Sequence, residues 1–377
     1  MKKLLLFFLV ILCFSVFFVT GCGKNEDNPT SVSVNVNAQH SGADGAEVDG
    51  VKTFKTVQGA IDYFASENLN NAQKIVNISA GDYHEKITVN KDIVNLKLVG
   101  STTGVTKITY GDYAGMLDAN GNKIGTDKTA TANVHAEGFI AENIYFENSF
   151  DYFNPPQGVK DLQALAMYSR ADKVQFINCI FTGVQDTLEV VSGRQYFKNC
   201  TIKGSVDFIF GNNPSVLFDN CDIVSVNRNK KGGYVTAMKG NDGTNGNAVA
   251  TYGLVFKGCR LTAEQGIENG TIALGRPWRA DATVAWINCE IGAHISIKAY
   301  GTGLSRYTYM EGGGVANYPK DANFFEYGNT GAGAVSTQLN DDFTLLTETE
   351  VALYTPENIF ATTNGGVTYT GEWNPCA

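Results

Sequence analysis

Two aspartates separated by 21 positions, Asp186 and Asp207, are the residues of this chain whose type and spacing could do chemistry. Two carboxylates held close together cannot both ionise at low cost, so one keeps its proton while the other remains an anion. A neutral acid beside an anionic nucleophile suits acyl transfer when no serine–histidine pair is available. The sequence has neither a Gly-x-Ser-x-Gly nor a His-Glu-x-x-His motif. On spacing alone, a catalytic pair and two aspartates that merely satisfy turn amides are equally good interpretations.

Nearby polar side chains favour the catalytic interpretation. Gln185 directly precedes Asp186, and Gln163 would lie on the preceding coil if the chain between them completes one turn. Side-chain amides are donors suited to an oxyanion hole. Farther along, Arg276 could clamp a carboxylate through two hydrogen bonds, and the indole of Trp278 could stack on a sugar ring. An Arg-Pro-Trp sequence by itself is more often a packed surface turn, so its companions decide the interpretation.

A repeat indicates how the chain positions these residues. Short β-branched runs punctuated by glycine and asparagine predict strands, and a period near 20 residues is typical of a solenoid whose units bury their apolar sides only against neighbours. We therefore predict an all-β parallel β-helix, with Asp186 and Asp207 on consecutive coils spaced about 4.8 Å apart. Asparagines at equivalent turns could form an amide ladder, while the cysteines behave as small buried hydrophobes. The repeated pairs are Asn178–Cys179, Asn199–Cys200 and Asn220–Cys221, followed by Gly258–Cys259 and Asn288–Cys289.

Two terminal segments are predicted to be helical. The segment Thr56–Phe64 carries four apolar residues on one helical face, which suits a cap over the first coil. Near the other end, Thr347–Glu350 matches a capping box. Helices at these ends would shield open strand edges. The four apolar residues are Val57, Ala60, Ile61 and Phe64.

Composition excludes several classes of protein. The 377-residue chain is 43% hydrophobic, which excludes a disordered or collagen-like polymer. A net charge of −9 and a pI near 5.0 leave no basic surface for phosphates, so we expect no nucleic-acid partner. Eight cysteines without a Cys-x-x-Cys pair indicate neither a disulfide scaffold nor structural zinc. Cys200 and Cys221 could still be linked in an oxidising compartment, although buried free thiols are the preferred interpretation.

The first residues are typical of an export signal. Lys2 and Lys3 precede the apolar run Leu4–Val19, which is too short for a spanning helix. The run ends in Val-Thr-Gly-Cys, a pattern similar to the bacterial lipobox, so we predict a signal peptide over 1–21 and lipidation of Cys22. An ordinary signal with an incidental cysteine is the alternative. We expect a flexible tether over 22–37 and a single β-helix domain over 38–377. The protein is predicted to be a monomer at the bacterial cell envelope, on the outer membrane or cell surface, where its lipid alone holds it to the membrane.

Several blocks of the sequence resemble pectin methylesterases, the carbohydrate esterases that work through two aspartates on a right-handed parallel β-helix. The resemblance runs from Asp49 to Ala334, almost all of the predicted domain. Four specific blocks in the family's order are stronger support than any one of them. These blocks are Gln163–Ala166, Gly183–Leu188, Gly204–Gly211 and Leu274–Trp278.

The resemblance implies a reaction and roles for the polar residues. Asp207 would be the nucleophile that attacks the C6 methyl ester carbonyl of a galacturonosyl unit of pectin. Gln163 and Gln185 would hold the oxyanion. Asp186 would protonate the departing methanol and then activate the water that splits the acyl-enzyme.

It also implies how the substrate is held. Arg276 would orient Asp207 and keep it ionised, while Trp278 and Phe208 would contact the sugars. Thr131 resembles a threonine that lines the family's site. The chemistry needs no metal ion or organic cofactor, and methyl-esterified homogalacturonan would be the substrate.

The chain departs from the family at positions that bind substrate. The family usually has tyrosines where this sequence has Val184 and Glu189, and it tends to carry a second groove tryptophan that is missing here. Trp286 lies in an alternating strand and is predicted to pack in the core. Ester hydrolysis is therefore better founded than the identity of the polymer, because stacking contributes chiefly to binding.

Other functions on the same scaffold remain open at this stage. A polygalacturonase or pectate lyase would suit an acidic polysaccharide, but neither an Asp-Asp with Gly-His-Gly set nor an obvious calcium-binding acid cluster is present. A related esterase acting on non-pectin esters is a second alternative. A catalytically silent, carbohydrate-binding envelope lipoprotein is a third, and it would release no methanol.

Overall fold

The computed structural model describes residues 31–67, 69, 71–212, 214–240, 252–312, 314–364 and 367–377. The predicted signal peptide, the lipidation site Cys22 and the first part of the predicted tether lie outside the described residues. Within the described part of the chain, no helix is long and apolar enough to cross a bilayer.

Three long sheets, named A, B and C here, form the walls of a parallel β-helix. Every coil of the central region contributes one strand to each sheet, because the chain passes along A, B and C in turn before it returns to A. Sheet A contains 13 strands, in spatial order Ala46–Val48, Val51–Phe54, Ser31–Val36, Gln73–Ile78, Leu96–Gly100, Ile140–Glu142, Val174–Ile177, Arg194–Lys198, Ser215–Asp219, Leu254–Lys257, Thr283–Ile287, Asn323–Tyr327 and Thr344–Leu345. Sheet B contains eight strands, Glu290–Ile291, Arg260–Ala263, Asp222–Ser225, Thr201–Gly204, Ile180–Thr182, Tyr145–Asn148, Thr106–Tyr110 and Gly81–His84. Sheet C contains seven strands, Ile272–Pro277, Gly233–Met238, Val206–Gly211, Leu188–Ser192, Met167–Arg170, Ala132–Val134 and Ile87–Val89.

The remaining elements are short. Two hairpins pair Met310–Gly312 with Val315–Asn317 and Thr362–Asn364 with Val367–Tyr369. The 3₁₀ turns are Thr126–Thr129 and Pro319–Asp321, and the α-helices are Val57–Ser66, Glu348–Val351 and Pro356–Ile359.

The predicted repeat is confirmed by the strand register. Val174 pairs with Gln195, and Gln195 pairs with Val216, so one coil of this region is 21 residues long. Asn178 and Asn199 adopt left-handed backbone conformations with φ of 53° and 52°, as asparagine tolerates at turns. The Asn199 amide donates to the Asn178 side chain at 3.5 Å, and the Asn178 amide donates to Asn143 at 3.2 Å. The predicted asparagine ladder is therefore present from Asn143 to Asn199, whereas the Asn220 amide donates to the Asp219 side chain at 2.9 Å.

Aromatic rings and thiols fill the interior of the coil stack. Phe197 and Phe218 stack with ring centroids 4.7 Å apart, and Phe256 stacks on Trp286 at 3.9 Å. Trp286 is fully buried, which confirms its predicted packing role. The cysteines of the repeat are free and buried, and each thiol donates to a carbonyl of the neighbouring coil. This confirms the preferred interpretation of free thiols for Cys179, Cys200, Cys221, Cys259 and Cys289.

Both segments predicted to be helical contain helices, but only the first packs over an end of the coil stack, since Glu348–Val351 has no buried residue. Helix Val57–Ser66 begins after the N-cap Thr56 and buries the four apolar residues named above. The capping box of Thr347 and Glu350 starts the helix Glu348–Val351. The following helix buries Ile359 and, with Phe360, packs against Tyr196 on the outer face of sheet A.

The predicted tether over 22–37 is wrong for its second half. Ser31–Val36 is a strand of sheet A that pairs in parallel with Gln73–Ile78. Its alternation of valine with small polar residues puts Val34 and Val36 into the core, where both are at most 1% exposed. The small polar residues resemble a linker in composition, but their period of two is that of a strand. The folded domain therefore includes Ser31 and does not begin at Ala38.

Candidate active site

Asp186 and Asp207 occupy equivalent positions on consecutive coils of sheet C. Gln185 bridges to Val206 in parallel register, and the amide of Asp186 donates to the Val206 carbonyl at 3.0 Å. Adjacent parallel strands are about 4.8 Å apart, so the two aspartates are neighbours across the strands. Both line one groove of about 470 Å³ on the outer face of sheet C. The coil spacing inferred from sequence is confirmed.

Both aspartates have a left-handed backbone, with φ of 62° at Asp186 and 50° at Asp207. Aspartate adopts this region more readily than most residues, yet each instance costs on the order of 1–3 kcal/mol unless the surrounding structure enforces it. The ladder register shifts between Val206 and Ile209, which marks a bulge. Bulges re-aim side chains next to functional sites, and here both carboxyls are turned into the groove.

Arg276 holds Asp207 through two hydrogen bonds. Its Nε donates to Oδ1 at 2.7 Å and its Nη2 donates to Oδ2 at 2.5 Å. The guanidinium carbon also lies 3.9 Å from the ring centroid of Tyr234. Burial acts to lower the pKa of Arg276, but the hydrogen bond and negative charge of Asp207 outweigh burial and raise it. Asp207, which is 6% exposed, is thus ion-paired with Arg276 at the edge of the groove.

Asp186 is electrostatically the opposite of Asp207. Burial raises the pKa of Asp186 well above its usual range, and the negative charges of Asp207 and Glu189 add to the rise. The positive charge of Arg276 opposes this shift only in part. Asp186 therefore holds its proton more strongly than an ordinary aspartate does, beside a carboxyl that is paired with Arg276. The two aspartates thus have the unequal surroundings that a nucleophile and a proton donor require.

Two glutamines complete the polar wall of the groove. Gln163 and Gln185 both line it, and the Ala164 amide donates to the Gln185 carbonyl at 3.1 Å, which ties their two coils together. The Oε1 atom of Gln163 is buried without a hydrogen-bond partner among the described residues. The amide NH₂ groups are the donors that could stabilise charge on a carbonyl oxygen beside Asp207.

An apolar surface lies beside the polar groups. Trp278 and Phe210 line the groove, with ring centroids 6.2 Å apart and nearly perpendicular planes. Met310, from a hairpin strand, packs in the same cluster. Flat apolar rings of this kind suit the C–H faces of sugars.

The predicted sugar contact of Phe208 is wrong, and Phe210 takes its place. Phe208 is fully buried in the interior of the β-helix. A methyl group at Gly204 would lie 2.1 Å from its Cβ, so Phe208 sits directly against the backbone of its own coil. A prediction of which face of the sheet a side chain occupies relies on strict alternation along the strand. The bulge at Asp207 breaks this alternation.

The predicted contact of Thr131 with substrate is also wrong. Thr131 is fully buried, and its hydroxyl donates to the Glu147 carbonyl at 2.8 Å. The groove is instead lined by Thr126 and Asp127 of the preceding 3₁₀ turn. No periodic pattern marks that turn in the sequence, so pattern reasoning could not have found these residues.

Glu189, noted in the sequence as a departure from the family, also lines the groove. It is 5% exposed, and burial raises its pKa to about 8, with a further contribution from the negative charge of Asp127. The sequence places a carboxyl where an aromatic ring was expected, but only the structure shows that this carboxyl is buried and faces the site.

The chain is similar to known proteins both in sequence and in fold. A family model described as Pectinesterase matches residues 46–362. The chain is 33% identical to a probable pectinesterase A of Neosartorya fischeri over 283 residues, which cover 74% of this chain and 76% of that protein. Among solved structures, a pectin methylesterase in complex with a hexasaccharide superposes with a TM-score of 0.74 at 29% identity, covering 92% of this chain and 99% of that one. The pectin methylesterase of Erwinia chrysanthemi has a TM-score of 0.71 at 30% identity, with 92% and 98% covered.

Proposed function

The chain belongs to the pectinesterase family, and we propose that it hydrolyses the C6 methyl esters of polygalacturonan to pectate and methanol. The observation that carries this proposal is the unequal pair of Asp186 and Asp207 on neighbouring coils. One is a partly buried acid with a raised pKa, and the other is held by two hydrogen bonds from Arg276. Acyl transfer through a carboxylate nucleophile requires this combination.

The first half-reaction forms an acyl-enzyme. A carboxylate oxygen of Asp207 attacks the ester carbonyl carbon, and the developing oxyanion accepts hydrogen bonds from Gln163 and Gln185. The carbonyl reforms as the bond to the methoxy oxygen breaks. Asp186 gives its proton to that oxygen, so methanol departs as a neutral molecule and leaves an anhydride between Asp207 and the uronate.

The second half-reaction restores the enzyme. Asp186, now ionised, takes a proton from a water molecule whose oxygen attacks the uronate carbonyl carbon of the anhydride. The bond to the Asp207 oxygen breaks, which frees the Asp207 carboxylate and a galacturonate carboxyl. Arg276 stabilises the negative charge that forms again on Asp207, because its two hydrogen bonds fit both carboxylate oxygens.

The groove supports a polymeric sugar substrate. Trp278 and Phe210 offer apolar faces beside the polar pair. The solved relative with TM-score 0.74 binds a hexasaccharide, and an equivalent stretch of methyl-esterified homogalacturonan is the substrate proposed here. All the groove residues named here belong to one chain, and we propose that the protein acts as a monomer.

Methanol release from highly esterified pectin tests the proposal. We expect methanol to appear with unchanged polymer length, measured by size-exclusion chromatography in the same sample. Shortening of the chains would instead favour a polygalacturonase or lyase. Hydrolysis of simple acyl esters without release of methanol from pectin would favour the non-pectin esterase, and no hydrolysis of any ester would favour a silent binding protein.

We further propose that the protein is an exported lipoprotein of the bacterial envelope, anchored only through Cys22. The support is the basic start, the apolar run Leu4–Val19 and the small residues before Cys22. The first strand begins at Ser31, so the eight residues between Cys22 and Ser31 could span at most roughly 30 Å. The catalytic domain would therefore lie close to the membrane surface.

Labelling of cells with a radioactive fatty acid tests the anchor. We expect label in the wild-type protein, recovery of that protein in the detergent phase, and loss of both in Cys22→Ala. The variant Cys376→Ala is the matched control, because it removes a cysteine at the other end of the chain. Equal labelling of wild type and Cys22→Ala would contradict the lipoprotein assignment.

A further inference from the structure

Glu189 lies on the floor of the groove in a row of strand-paired residues. It pairs with Tyr168 on one neighbouring strand of sheet C and with Phe210 on the other. It follows Asp186 by three positions, which at about 3.3 Å per residue is at most roughly 10 Å. The carboxyl of Glu189 is thus close to the reacting ester without belonging to the pair that performs the proposed reaction.

This carboxyl has no structural task that explains its burial. The side chain is 5% exposed, and its Oε2 atom is buried without a hydrogen-bond partner among the described residues. Buried polar groups are nearly always hydrogen-bonded within the protein. A groove-lining carboxyl without such a bond is therefore available to a ligand.

The charges around Glu189 are mostly negative. Asp127 faces it from the 3₁₀ turn and raises its pKa, while Arg170 on the neighbouring strand opposes this effect. Asp186 lies on the same coil and Asp207 on the next, both in the same groove. The other neighbours from packed elements are Tyr168, whose ring lies 5.7 Å from that of His135, and the rings of Phe210 and Trp278.

Burial, followed by the charge of Asp127, raises the pKa of Glu189 to about 8. At neutral pH the side chain is therefore a carboxylic acid, which can donate one hydrogen bond from its O–H. Above that pH it becomes an anion, which can only accept.

We propose that Glu189 is a specificity-determining residue that donates a hydrogen bond to the uncharged methyl-ester carbonyl of the uronate unit next to the reacting one. The inference rests on the proposed function and names the substrate pattern that the groove selects. A free uronate at this position would add a carboxylate to a groove that already holds Asp127 and Asp207. The only guanidinium that lines the groove among the described residues, Arg276, is already committed to Asp207. An ester neighbour avoids this repulsion and still accepts the hydrogen bond.

Steady-state kinetics of Glu189→Gln and Glu189→Leu on a fully methyl-esterified oligogalacturonate test the inference. Reactions are run from pH 6 to 9, with the enzyme-free rate subtracted at each pH. For the wild type we expect KM to rise about 3- to 10-fold between pH 7 and 9, the size expected for one lost hydrogen bond. Glu189→Gln keeps a neutral donor, so its KM should stay near the wild-type value at pH 6 and remain flat with pH. Glu189→Leu should raise KM at pH 6 by a similar factor, with kcat changed much less.

A second substrate directly tests the preference for an esterified neighbouring unit. An oligogalacturonate with a single ester flanked by free uronates should have a lower kcat/KM than the fully esterified one. Glu189→Leu should narrow this difference, because it removes the bond to the neighbouring ester. Glu290→Gln, the same change at an exposed position of sheet B, is the matched control and should behave as wild type.

Two results would overturn the inference. One is an unchanged KM in Glu189→Leu at pH 6, and the other is the same pH response of KM in wild type and Glu189→Gln. Thermal melts show whether each variant is folded; if Glu189→Leu does not fold, the pH profile of Glu189→Gln decides. If the wild type releases no methanol from either substrate, the proposed function fails instead, so the two failures are distinguishable.

Discussion

The guanidinium of Arg276 binds both carboxylate oxygens of Asp207, although 69 positions of sequence separate the two residues. Asp186, one coil away from Asp207, is partly buried and has a raised pKa. Two residues of the same type, in the same backbone conformation, thus have opposite surroundings: a cation binds Asp207, whereas burial and two negative charges surround Asp186. Several measurable consequences follow from this difference.

Replacing Asp207 by Asn should reduce methanol release by at least about 10³-fold, because the amide is a far poorer nucleophile. Circular dichroism and thermal melts should show a folded β-helix. Asp222→Asn is the matched control. Asp222 also accepts a hydrogen bond from an arginine, Arg260, at 2.8 Å, but on the exposed surface of sheet B. Comparable activity in the two variants would remove Asp207 from the mechanism.

Replacing Arg276 by Lys should lower kcat by about 10- to 100-fold, which corresponds to the loss of one charge-assisted hydrogen bond. An ammonium group keeps the positive charge but cannot bind both oxygens of Asp207 in the planar fork. KM should change much less than kcat. Wild-type kcat in Arg276→Lys would show that charge alone, without bidentate geometry, is sufficient.

Replacing Gln185 by Ala should lower kcat on the order of 10²-fold with little change in KM, as expected when one oxyanion donor is lost. Gln163→Ala should behave in the same way. Gln195→Ala serves as a comparison, because Gln195 is a fully buried glutamine in sheet A that donates to the Ser192 carbonyl at 2.9 Å. That variant should lose stability while its folded fraction retains activity. A loss of only a few-fold in Gln185→Ala would assign the oxyanion to other donors.

Trp278→Ala and Phe210→Ala should raise KM several-fold, because each removes a stacking surface of the groove. Phe208→Ala should instead cost about 3–5 kcal/mol of stability, as expected for a cavity in a packed core, with KM of the folded enzyme unchanged. Chemical denaturation and steady-state kinetics separate the two effects. A raised KM without destabilisation in Phe208→Ala would contradict its inward orientation.

Glu189 should make the protein less stable as pH rises from about 5 to 8. Its folded-state pKa of about 8 lies above the ordinary value of 4.5, so in this range the unfolded chain releases a proton that the folded chain keeps. The folded state is then penalised, and stability falls with pH. Glu189→Gln removes the titration, so its free energy of unfolding relative to wild type should increase between pH 5 and pH 8. Urea unfolding at both pH values measures the difference, which would be absent in the control Glu290→Gln.

Much of the site could be predicted because the repeat length determines which residues lie at equivalent positions on neighbouring coils. The 21-residue interval places Asp186 beside Asp207 regardless of the details of the loops, and the structure has the two residues in that relationship. It was harder to predict which side chains point into the core and which point into the groove. The left-handed residue at Asp207 shifts the strand register, which sends Phe208 inward and leaves Phe210 in the groove. A period-two pattern contains no information about where such a bulge occurs.

Judging segments by local composition or local likeness was the other source of error. Thr131 was chosen by a loose local likeness, yet its hydroxyl is used by the Glu147 carbonyl inside the wall. The strand Ser31–Val36 was assigned to a tether because its composition is small and polar, although every second residue is valine. In both cases the burial of a side chain against distant coils decided the outcome, and that information is not local in sequence.

The stacking of Gln163, of Gln185 with Asp186, and of Asp207 on three successive coils has an architectural consequence. Apart from Arg276, the residues proposed to act in the reaction all lie within 45 consecutive residues of the chain. Turns could therefore be added to or removed from either end of the molecule without moving these atoms relative to one another. Such changes would lengthen or shorten the groove in which a polymer lies. The length of polymer that the scaffold binds can therefore vary independently of the ester chemistry.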